Sequence, residues 1–302
     1  MMILSSTNSL LNVIFDNEKS VEILAKAGFD AVDVSLNSVK PYDNFYHWPD
    51  YIDRAKKMLE IAKSYGIFFN QAHAFYPSSY VEEEKTKIAY DKILKDFEIA
   101  NALGVKTMIV HPKQHLHYVE GNNSEVLKQQ NYEFYKSLIP YCEKYGVTVA
   151  VENMWQNNRI NNVNIDSTCS RAPEFCEYID MLDSKWITAC LDLGHCGLVG
   201  QKAENMIRAL GHDRLGALHV HDNDGRCDNH VEPMSPFLTT IDWEAVCKAL
   251  AEIDYIGDFT YEAQNIFKNA NEQTVDAIAK HLHDVGRYLI SRFDYYKTQK
   301  NM

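Results

Sequence analysis

The sequence predicts a (β/α)8 barrel, an α/β fold, in one domain that covers residues 1–302. Apolar strand-like segments alternate with amphipathic helical segments along the whole chain, which is typical of parallel strands joined by helical crossovers. Eight such units fit into 302 residues, a usual size for this barrel. No linker divides the chain. The runner-up fold, a doubly wound open sheet, is disfavoured because no glycine-rich phosphate turn follows the first strand.

Four strand–helix units make up the first half of the chain. The predicted strands cover residues 2–6, 30–36, 67–73 and 105–111, and the predicted helices cover residues 18–27, 51–65, 85–103 and 125–145. Each helix has apolar residues at helical spacing and is followed by a glycine, at positions 28, 66, 104 and 146. Because glycine readily adopts the left-handed conformation that ends a helix, these glycines support the predicted boundaries.

Four further units make up the second half. The predicted strands cover residues 147–153, 186–192, 215–221 and 258–262, and the predicted helices cover residues 172–182, 202–210, 241–253 and 274–293. Residues 155–169 are mostly polar, and we expect them to form a long loop after the fifth strand.

The composition is that of an ordinary globular protein, with 46% hydrophobic and 24% charged residues. No apolar run approaches the roughly 18 residues that a membrane span needs, and the first residues show no signal peptide. The seven cysteines have no framework spacing, so we expect reduced thiols in a cytoplasmic protein. The net charge of −12 would repel a phosphate backbone, so we expect no nucleic-acid partner. Whether the protein is a homo-oligomer stays open.

Metal-capable side chains stand at the ends of six successive predicted strands. They are His73, His111, Glu152, Asp192 with His195 three residues later, His219 with Asp228 and His230 in the loop that follows, and Glu262. Because the carboxyl ends of the strands meet at one face of a barrel, these side chains should lie at the same layer. Imidazole and carboxylate groups together are ligands of zinc, manganese or iron. We therefore expect a divalent metal site at this face.

Several of these residues also have simpler explanations. A single histidine at a strand end, such as His73, is often a hydrogen-bonded wall residue. Asp192 could cap the turn that follows it, and Asp228 could be a solvated loop residue. Glu152 and Glu262 fit such explanations least, because each closes an apolar strand and burying an unpaired carboxylate is costly. Two buried carboxylates need a cation, and a metal ion is the simplest one.

His221 has an ambiguous position two residues after His219. By strand alternation its side chain points to the same side as His219. It is therefore either a group that supports the ligands from behind or a competing ligand.

Four motifs occur in order at the ends of the fifth to eighth strands. They are Val-Glu-Asn at 151–153, Leu-Asp-Leu-Gly-His at 191–195, His-Val-His-Asp at 219–222 and Tyr-Glu-Ala at 261–263. With these motifs, essentially the whole chain resembles the xylose-isomerase-like TIM barrel superfamily, which holds sugar and sugar-phosphate isomerases and epimerases and the type IV apurinic endonucleases. The resemblance implies that one divalent metal ion is bound by four residues, Glu152, Asp192, His219 and Glu262.

The endonuclease branch of this superfamily implies further ligands for a trinuclear zinc site. The matching residues here are His73, His111, His195, Asp228 and His230. The chain departs from that branch at residues 231–240, where Val-Glu-Pro-Met-Ser-Pro-Phe-Leu-Thr-Thr replaces the usual glycine-rich turn. This departure bears on the loop that would carry the third ion.

Three functional hypotheses follow. In a metal-dependent isomerase or epimerase of a small-molecule sugar or sugar phosphate, Glu152 and Glu262 would move a proton between the two faces of a carbon through an enediolate. His195 and Arg226 would hold hydroxyl or phosphate groups, and Trp155 would stack on the sugar. The second hypothesis is a multinuclear zinc phosphoesterase, although the negative charge argues against a DNA substrate. The third is a non-catalytic metal- or sugar-binding barrel.

Overall fold

Eight parallel strands form the centre of the protein, as a computed structural model shows; it describes residues 2–36, 49–114, 123–158, 160–236, 238–300 and 302. The barrel strands are β1 (Leu4–Thr7), β2 (Ala31–Ser35), β3 (Phe68–His73), β4 (Thr107–Val110), β5 (Thr148–Glu152), β8 (Ile187–Asp192), β9 (Leu215–His219) and β10 (Phe259–Tyr261). All of them lie within a residue or two of the predicted strands. The predicted (β/α)8 fold class is confirmed.

The helices pack around the strands, and most of the predicted ones begin and end close to their predicted boundaries. The helices predicted at residues 202–210 and 274–293 extend further, to Arg214 and Lys300, and the short helices Leu11–Ile14 and Leu193–Leu198 were not predicted. The helices are α1 (Leu11–Ile14), α2 (Asn17–Ala27), α3 (Tyr51–Ser64), α4 (Glu83–Leu103), α5 (Ser124–Tyr145), α6 (Ala172–Leu182), α7 (Leu193–Leu198), α8 (Ala203–Arg214), α9 (Trp243–Glu252) and α10 (Val275–Lys300), with a 3-10 helix at Gln264–Phe267. Gly28 ends α2 with a φ of +101°, in the left-handed region that glycine tolerates. The same device ends α4 and α5 at Gly104 and Gly146.

The strands are hydrogen-bonded in the order β10-β1-β2-β3-β4-β5-β8-β9. The barrel closes between β9 and β10 through a parallel bridge from Val220 to Tyr261. Two backbone hydrogen bonds make this bridge: Val220 N donates to Thr260 O at 2.9 Å, and Glu262 N donates to Val220 O at 3.1 Å. The closing bridge therefore lies beside His219 and Glu262.

The inside of the barrel has an apolar and a polar half. The apolar half is a cluster of buried residues on β4, β5, β8 and β9, namely Ile109, Ala150, Cys190 and Ala217. On the other side, Ser5 Oγ donates to Thr260 Oγ1 at 2.9 Å, and Asn70 Nδ2 donates to Ser5 Oγ at 3.0 Å. Since side chains alternate along a strand, the residue two positions after each member of the apolar cluster also points inward, at the carboxyl end.

The prediction of a loop at residues 155–169 is wrong. Two short strands, β6 (Trp155–Asn158) and β7 (Val163–Asp166), form an antiparallel ribbon that is separate from the barrel sheet. The residues of both strands are half-buried or exposed. Neither face of the ribbon is covered, so the sequence lacks the alternation that marks a half-buried strand.

Two further findings concern the expectations from composition. None of the helices in the described part of the chain is long and apolar enough to cross a bilayer. All seven cysteines are free, and five of them are buried, namely Cys142, Cys169, Cys190, Cys196 and Cys247.

Candidate metal centre

The predicted ligands lie together at the carboxyl ends of the barrel strands. His73, Glu152, Asp192 and His219 are the last residues of β3, β5, β8 and β9. His111 and Glu262 directly follow β4 and β10, His195 lies in α7, and Asp228 and His230 lie in the loop after β9. All of these residues except Asp228 fall into overlapping groups. In each group, one nitrogen or oxygen atom from each residue lies within 4.8 Å of those from the others.

The central group consists of Glu152, Asp192, His219 and Glu262. His219 Nδ1 lies 3.1 Å from Glu152 Oε1 and 3.2 Å from Glu262 Oε2. Asp192 Oδ2 lies 3.9 Å from the same nitrogen. Glu152, Asp192 and His219 are buried, while Glu262 keeps 15% of its side chain exposed. One imidazole nitrogen and three carboxylates therefore face a common point that is open on the side of Glu262.

A second group shares Glu152 with the first. His111 Nε2 lies 2.9 Å from Glu152 Oε2 and 3.0 Å from His73 Nε2. His73 Nδ1 donates to the carbonyl of Ala74 at 3.0 Å, so a neutral His73 carries its lone pair on Nε2. Glu152 therefore presents one oxygen to each group, in the manner of a carboxylate that bridges two ions.

Asp228 lies between the two remaining histidines, His195 and His230, and we call these three residues the third group. Asp228 Oδ2 lies 3.0 Å from His230 Nε2 and 3.4 Å from His195 Nε2. The Nδ1 atoms of these two histidines donate to the carbonyls of Glu262 and Asn153, both at 2.8 Å. Because backbone carbonyls hold the Nδ1 protons, the two Nε2 atoms are the ones available to a metal ion, and both point toward Asp228.

His221 lies between the first and third groups. Its Nε2 is 3.0 Å from Asp192 Oδ2 and 3.8 Å from Asp228 Oδ1, and its ring stacks on His230 with centroids 4.1 Å apart. The residue is fully buried. The geometry keeps both sequence alternatives, since His221 supports Asp192 directly and lies within ligand distance of the third group. Gly194 makes room for it, because a Cβ there would lie 2.0 Å from His221 Cε1.

The donor set fits a divalent metal ion. Asp228 Oδ1 is buried and has no hydrogen-bond partner among the described residues, and the buried Glu152 Oε2 has only the imidazole of His111, at 2.9 Å, beside it. Unpaired buried carboxylate oxygens are costly, and a cation bound by carboxylate and imidazole is the usual remedy. The residues of the central group provide N1O3 ligation, which suits zinc or manganese.

Without an ion, protonated histidines balance the carboxylates. Burial would raise the pKa of Glu152, but His219 and His111 hold that pKa well below its usual value. Burial would lower the pKa of His219, but Glu262 and Glu152 raise it to about 10. Burial likewise opposes the charged form of His195, whose pKa Asp192 and Asp228 raise well above its usual value. Metal binding must displace these protons, since a ligating imidazole is neutral.

Sequence reasoning missed the residues that hold the ligands in place. Asn153 exchanges two hydrogen bonds with Asp192: its Nδ2 donates to Asp192 O at 3.0 Å, and Asp192 N donates to Asn153 Oδ1 at 2.7 Å. Asp192 Oδ1 also accepts from His195 N at 2.7 Å and so caps α7. The capping role considered for Asp192 is thus real, and it leaves Oδ2 directed to the centre. The asparagine of the Val-Glu-Asn motif was the signal available.

The unusual loop after β9 is anchored by Asp222. Its carboxylate accepts four hydrogen bonds, from Asn223 N, Thr239 Oγ1, Thr240 N and Trp243 Nε1. The replacement of a glycine-rich turn at residues 231–240 therefore leaves His230 at the centre.

Of the three residues predicted to contact a substrate, His195 is buried beside Asp228, and Trp155 and Arg226 lie at the rim. Trp155 begins β6 and is half-buried. Arg226 is exposed, and its carbonyl accepts a hydrogen bond from Asn164 of β7 at 2.8 Å, which ties the ribbon to the loop after β9. Tyr76 was missed; its ring centroid lies 5.0 Å from both His73 and His111. An aromatic residue three positions after a strand-end histidine was the signal.

The fold and this cluster define a TIM barrel with a candidate metal centre at the carboxyl ends of its strands. Residues 21–284 match the family described as xylose isomerase-like TIM barrel. The chain belongs to this family, as its motifs predicted.

Two relatives of similar sequence are uncharacterized proteins. One is y4fM of Sinorhizobium fredii, 25% identical over 244 residues, which are 80% of this chain and 68% of that protein. The other is MJ1614 of Methanocaldococcus jannaschii, 27% identical over 179 residues, which are 57% of this chain and 63% of that protein. The chain thus spans about two thirds of the length of these relatives.

Solved structures share the fold at low sequence identity. A D-tagatose 3-epimerase-like protein has a TM-score of 0.74 and 20% identity, covering 97% of this chain and 99% of its own. D-psicose 3-epimerase, solved in the presence of D-fructose, has a TM-score of 0.72 and 15% identity, covering 95% and 99%. The IolI protein with a bound zinc atom has a TM-score of 0.71 and 16% identity, covering 98% and 99%.

Proposed function

We propose that this protein is a divalent-metal-dependent epimerase or isomerase of a sugar or sugar phosphate. The observation that carries the proposal is the placement of Glu152 and Glu262, which reach the same nitrogen of His219 from β5 and β10 at 3.1 and 3.2 Å. Two carboxylates that converge from separate strands can address opposite faces of one substrate carbon. The sugar epimerases among the structural neighbours support this reaction class.

The proposed ion is held by Glu152, Asp192, His219 and Glu262, and it would polarise the carbonyl and the adjacent hydroxyl of the substrate. The zinc atom of the IolI neighbour supports a divalent ion in this fold. Asn153 and α7 fix Asp192 from behind, as described above.

Proton transfer falls to the two glutamates. The bound ion would keep both carboxylates ionised at neutral pH, because a nearby cation lowers the pKa of a carboxylate, and an ionised carboxylate can act as a base. One glutamate takes the proton from the carbon beside the carbonyl, and the other returns a proton from the opposite face. These two proton transfers invert the configuration of that carbon. If the proton returns instead to the former carbonyl carbon, the carbonyl group moves by one position.

His195 and the rim residues supply substrate binding in this proposal. His195 holds a substrate hydroxyl if a single ion is bound, and it becomes an ion ligand if the third group is filled. Arg226, exposed beside the ribbon, is free to turn toward a phosphate group. Trp155 offers an aromatic face to the sugar ring.

The test is solvent deuterium uptake by a panel of ketoses and their phosphates, using protein loaded with zinc or manganese. Glu152→Gln and Glu262→Gln should each abolish uptake, and metal content measured on the same samples separates loss of the base from loss of the ion. Glu60→Gln, an exposed change on α3, is the matched control. If no sugar takes up deuterium while the protein cleaves phosphodiesters in a metal-dependent way, the proposal is wrong.

A second candidate is a multinuclear zinc phosphoesterase. It is favoured by the way Glu152 faces two groups and by the three-residue group around Asp228. The net charge of −12 makes a small phosphoester a better substrate than DNA. Elemental analysis separates the candidates, since the first requires one ion and the second requires two or three.

A further inference from the structure

Asp33 is a buried carboxylate beneath the metal centre with no role so far. It lies on β2, is 0% exposed, and neither of its oxygens has a hydrogen-bond partner among the described residues. A carboxylate that is buried without a partner is costly, more so than a neutral polar group. A residue of this kind needs a compensating interaction.

The position of Asp33 in the barrel places it one layer below the ligands. Ser35 of β2 pairs in register with His73, so Asp33 faces inward two residues deeper. Gln71 pairs in register with Asp33, and its Nε2 is buried and unpaired. Asn8 N donates to Asp33 O at 3.2 Å, and Asn8 Nδ2 is also buried and unpaired. Two residues that neighbour Asp33 through the backbone therefore each carry an unpaired side-chain donor.

His219 contributes the third unpaired atom. Its Nδ1 faces Glu152 and Glu262, and its ring stacks on His73 with centroids 5.6 Å apart and an interplanar angle of 13°. Its Nε2, on the other edge of the ring, is buried and unpaired. An imidazole that gives the Nδ1 lone pair to an ion carries its proton on Nε2, and that proton needs an acceptor.

Asp33 is the carboxylate available for this proton. Glu152, Asp192 and Glu262 all lie on the Nδ1 side of His219. Burial raises the pKa of Asp33 to about 6, and the strongest opposing influence on it comes from His219. The mutual influence of the two groups agrees with their placement in adjacent layers.

We propose that Asp33 is a positioning residue for the metal centre, which accepts the Nε2 proton of His219 through a bridging water molecule. The water is also bonded by Asn8 and Gln71, since a buried water typically makes about three hydrogen bonds. The carboxylate fixes the tautomer of His219, makes its Nδ1 a stronger ligand and prevents the ring from turning. This inference rests on the metal centre of the proposed function.

The experiment compares the full chain with Asp33→Asn, and Ser5→Ala is the matched control. Ser5 also lies on the inner polar side of the barrel, where it pairs in register with Ala31, and it bonds Thr260 and Asn70. Zinc affinity is measured by competition with a chromophoric chelator at pH 7.5, and the ligand field is read from the visible absorption of the cobalt(II)-loaded protein. We expect Asp33→Asn to bind zinc about 10- to 100-fold more weakly and to shift the cobalt bands. Ser5→Ala should change neither.

The unfolding temperature of metal-free Asp33→Asn is measured beside that of the unchanged protein. Weaker zinc binding at an unchanged unfolding temperature supports the positioning role, because misfolding is then excluded as the cause. Unchanged affinity and cobalt bands in Asp33→Asn overturn the positioning role alone. If the unchanged protein binds no zinc, the metal centre and the positioning role fall together. If Asp33→Asn weakens zinc binding but no sugar is turned over by either protein, the positioning role is supported and the proposed activity is wrong.

Discussion

Gly194→Ala should damage the metal centre by displacing His221. The added methyl group would lie 2.0 Å from His221 Cε1 and 2.6 Å from its Nε2, so the ring must move. It cannot move without disturbing His230, on which it stacks at 4.1 Å and whose Nδ1 is bonded to Glu262 O. The expected loss is the 3.0 Å bond from His221 Nε2 to Asp192 Oδ2 together with steric strain.

The size of this effect follows from the two contributions. A hydrogen bond to a charged group contributes about 1.5–3 kcal/mol, and overpacking of a filled interior costs about 1–3 kcal/mol. The free energy of unfolding should therefore fall by about 2.5–6 kcal/mol, which lowers the midpoint of thermal unfolding by roughly 4–10 °C for a domain of this size. Calorimetry and elemental analysis of the same samples measure stability and bound metal.

A double-mutant cycle with His221→Ala isolates the cause. If the clash with His221 is responsible, adding Gly194→Ala to His221→Ala should cost little further stability, because the ring that it would strike is gone. Equal losses from Gly194→Ala in both backgrounds would refute the reasoning, as would a Gly194→Ala protein that keeps its unfolding midpoint.

Three further predictions concern the ligands, the ion and the thiols. Asp192→Asn and Asp192→Ala should both lose bound metal by elemental analysis, but only Asp192→Ala should also lose about 1 kcal/mol from the cap of α7; metal retained in either variant contradicts the ligand set. At an ion concentration of 100 Kd, the ion should stabilise the protein by about 2.7 kcal/mol, so chelation should lower the unfolding midpoint. An unchanged midpoint would argue against a bound ion. Burial raises the pKa of Cys142 and of Cys247 to about 12, so few of these thiols are thiolates even at pH 9. Mass spectrometry should find the exposed Cys227 alkylated first at pH 7–9 and Cys142 and Cys247 only after unfolding; early labelling of Cys142 would show that the fold opens there.

The barrel could be predicted from sequence because its elements leave strong local patterns. Its strands are buried on both faces and read as apolar runs, while its helices read as amphipathic segments that end at glycines. The ribbon at residues 155–169 could not be predicted, since its side chains are half-exposed on both faces. The short α7 was also missed, because six residues are too few to show a helical period.

The convergence of the candidate ligands could be predicted for a different reason. In a barrel, strand ends far apart in the chain meet at one face, so their positions followed once eight strands were counted. The supporting groups did not follow, because they depend on contacts across strands. Asn153 acts on Asp192, 39 residues away, and Asp33 has a role only in relation to side chains of other strands. The two roles of His221 likewise depend on contacts with other strands and loops, 3.0 Å to Asp192 Oδ2 and 3.8 Å to Asp228 Oδ1.

The closing bridge between β9 and β10 gives the ion a mechanical role. Two backbone hydrogen bonds join these strands at Val220, and His219 and Glu262 stand on either side of that junction. An ion bound by both residues would link β9 to β10 inside the barrel, so local separation of these strands would require the ion to dissociate. The amide protons of Val220 and Glu262 would then exchange with solvent at a rate set by ion release, and the junction would be rigid in the loaded protein and able to part in the stripped one.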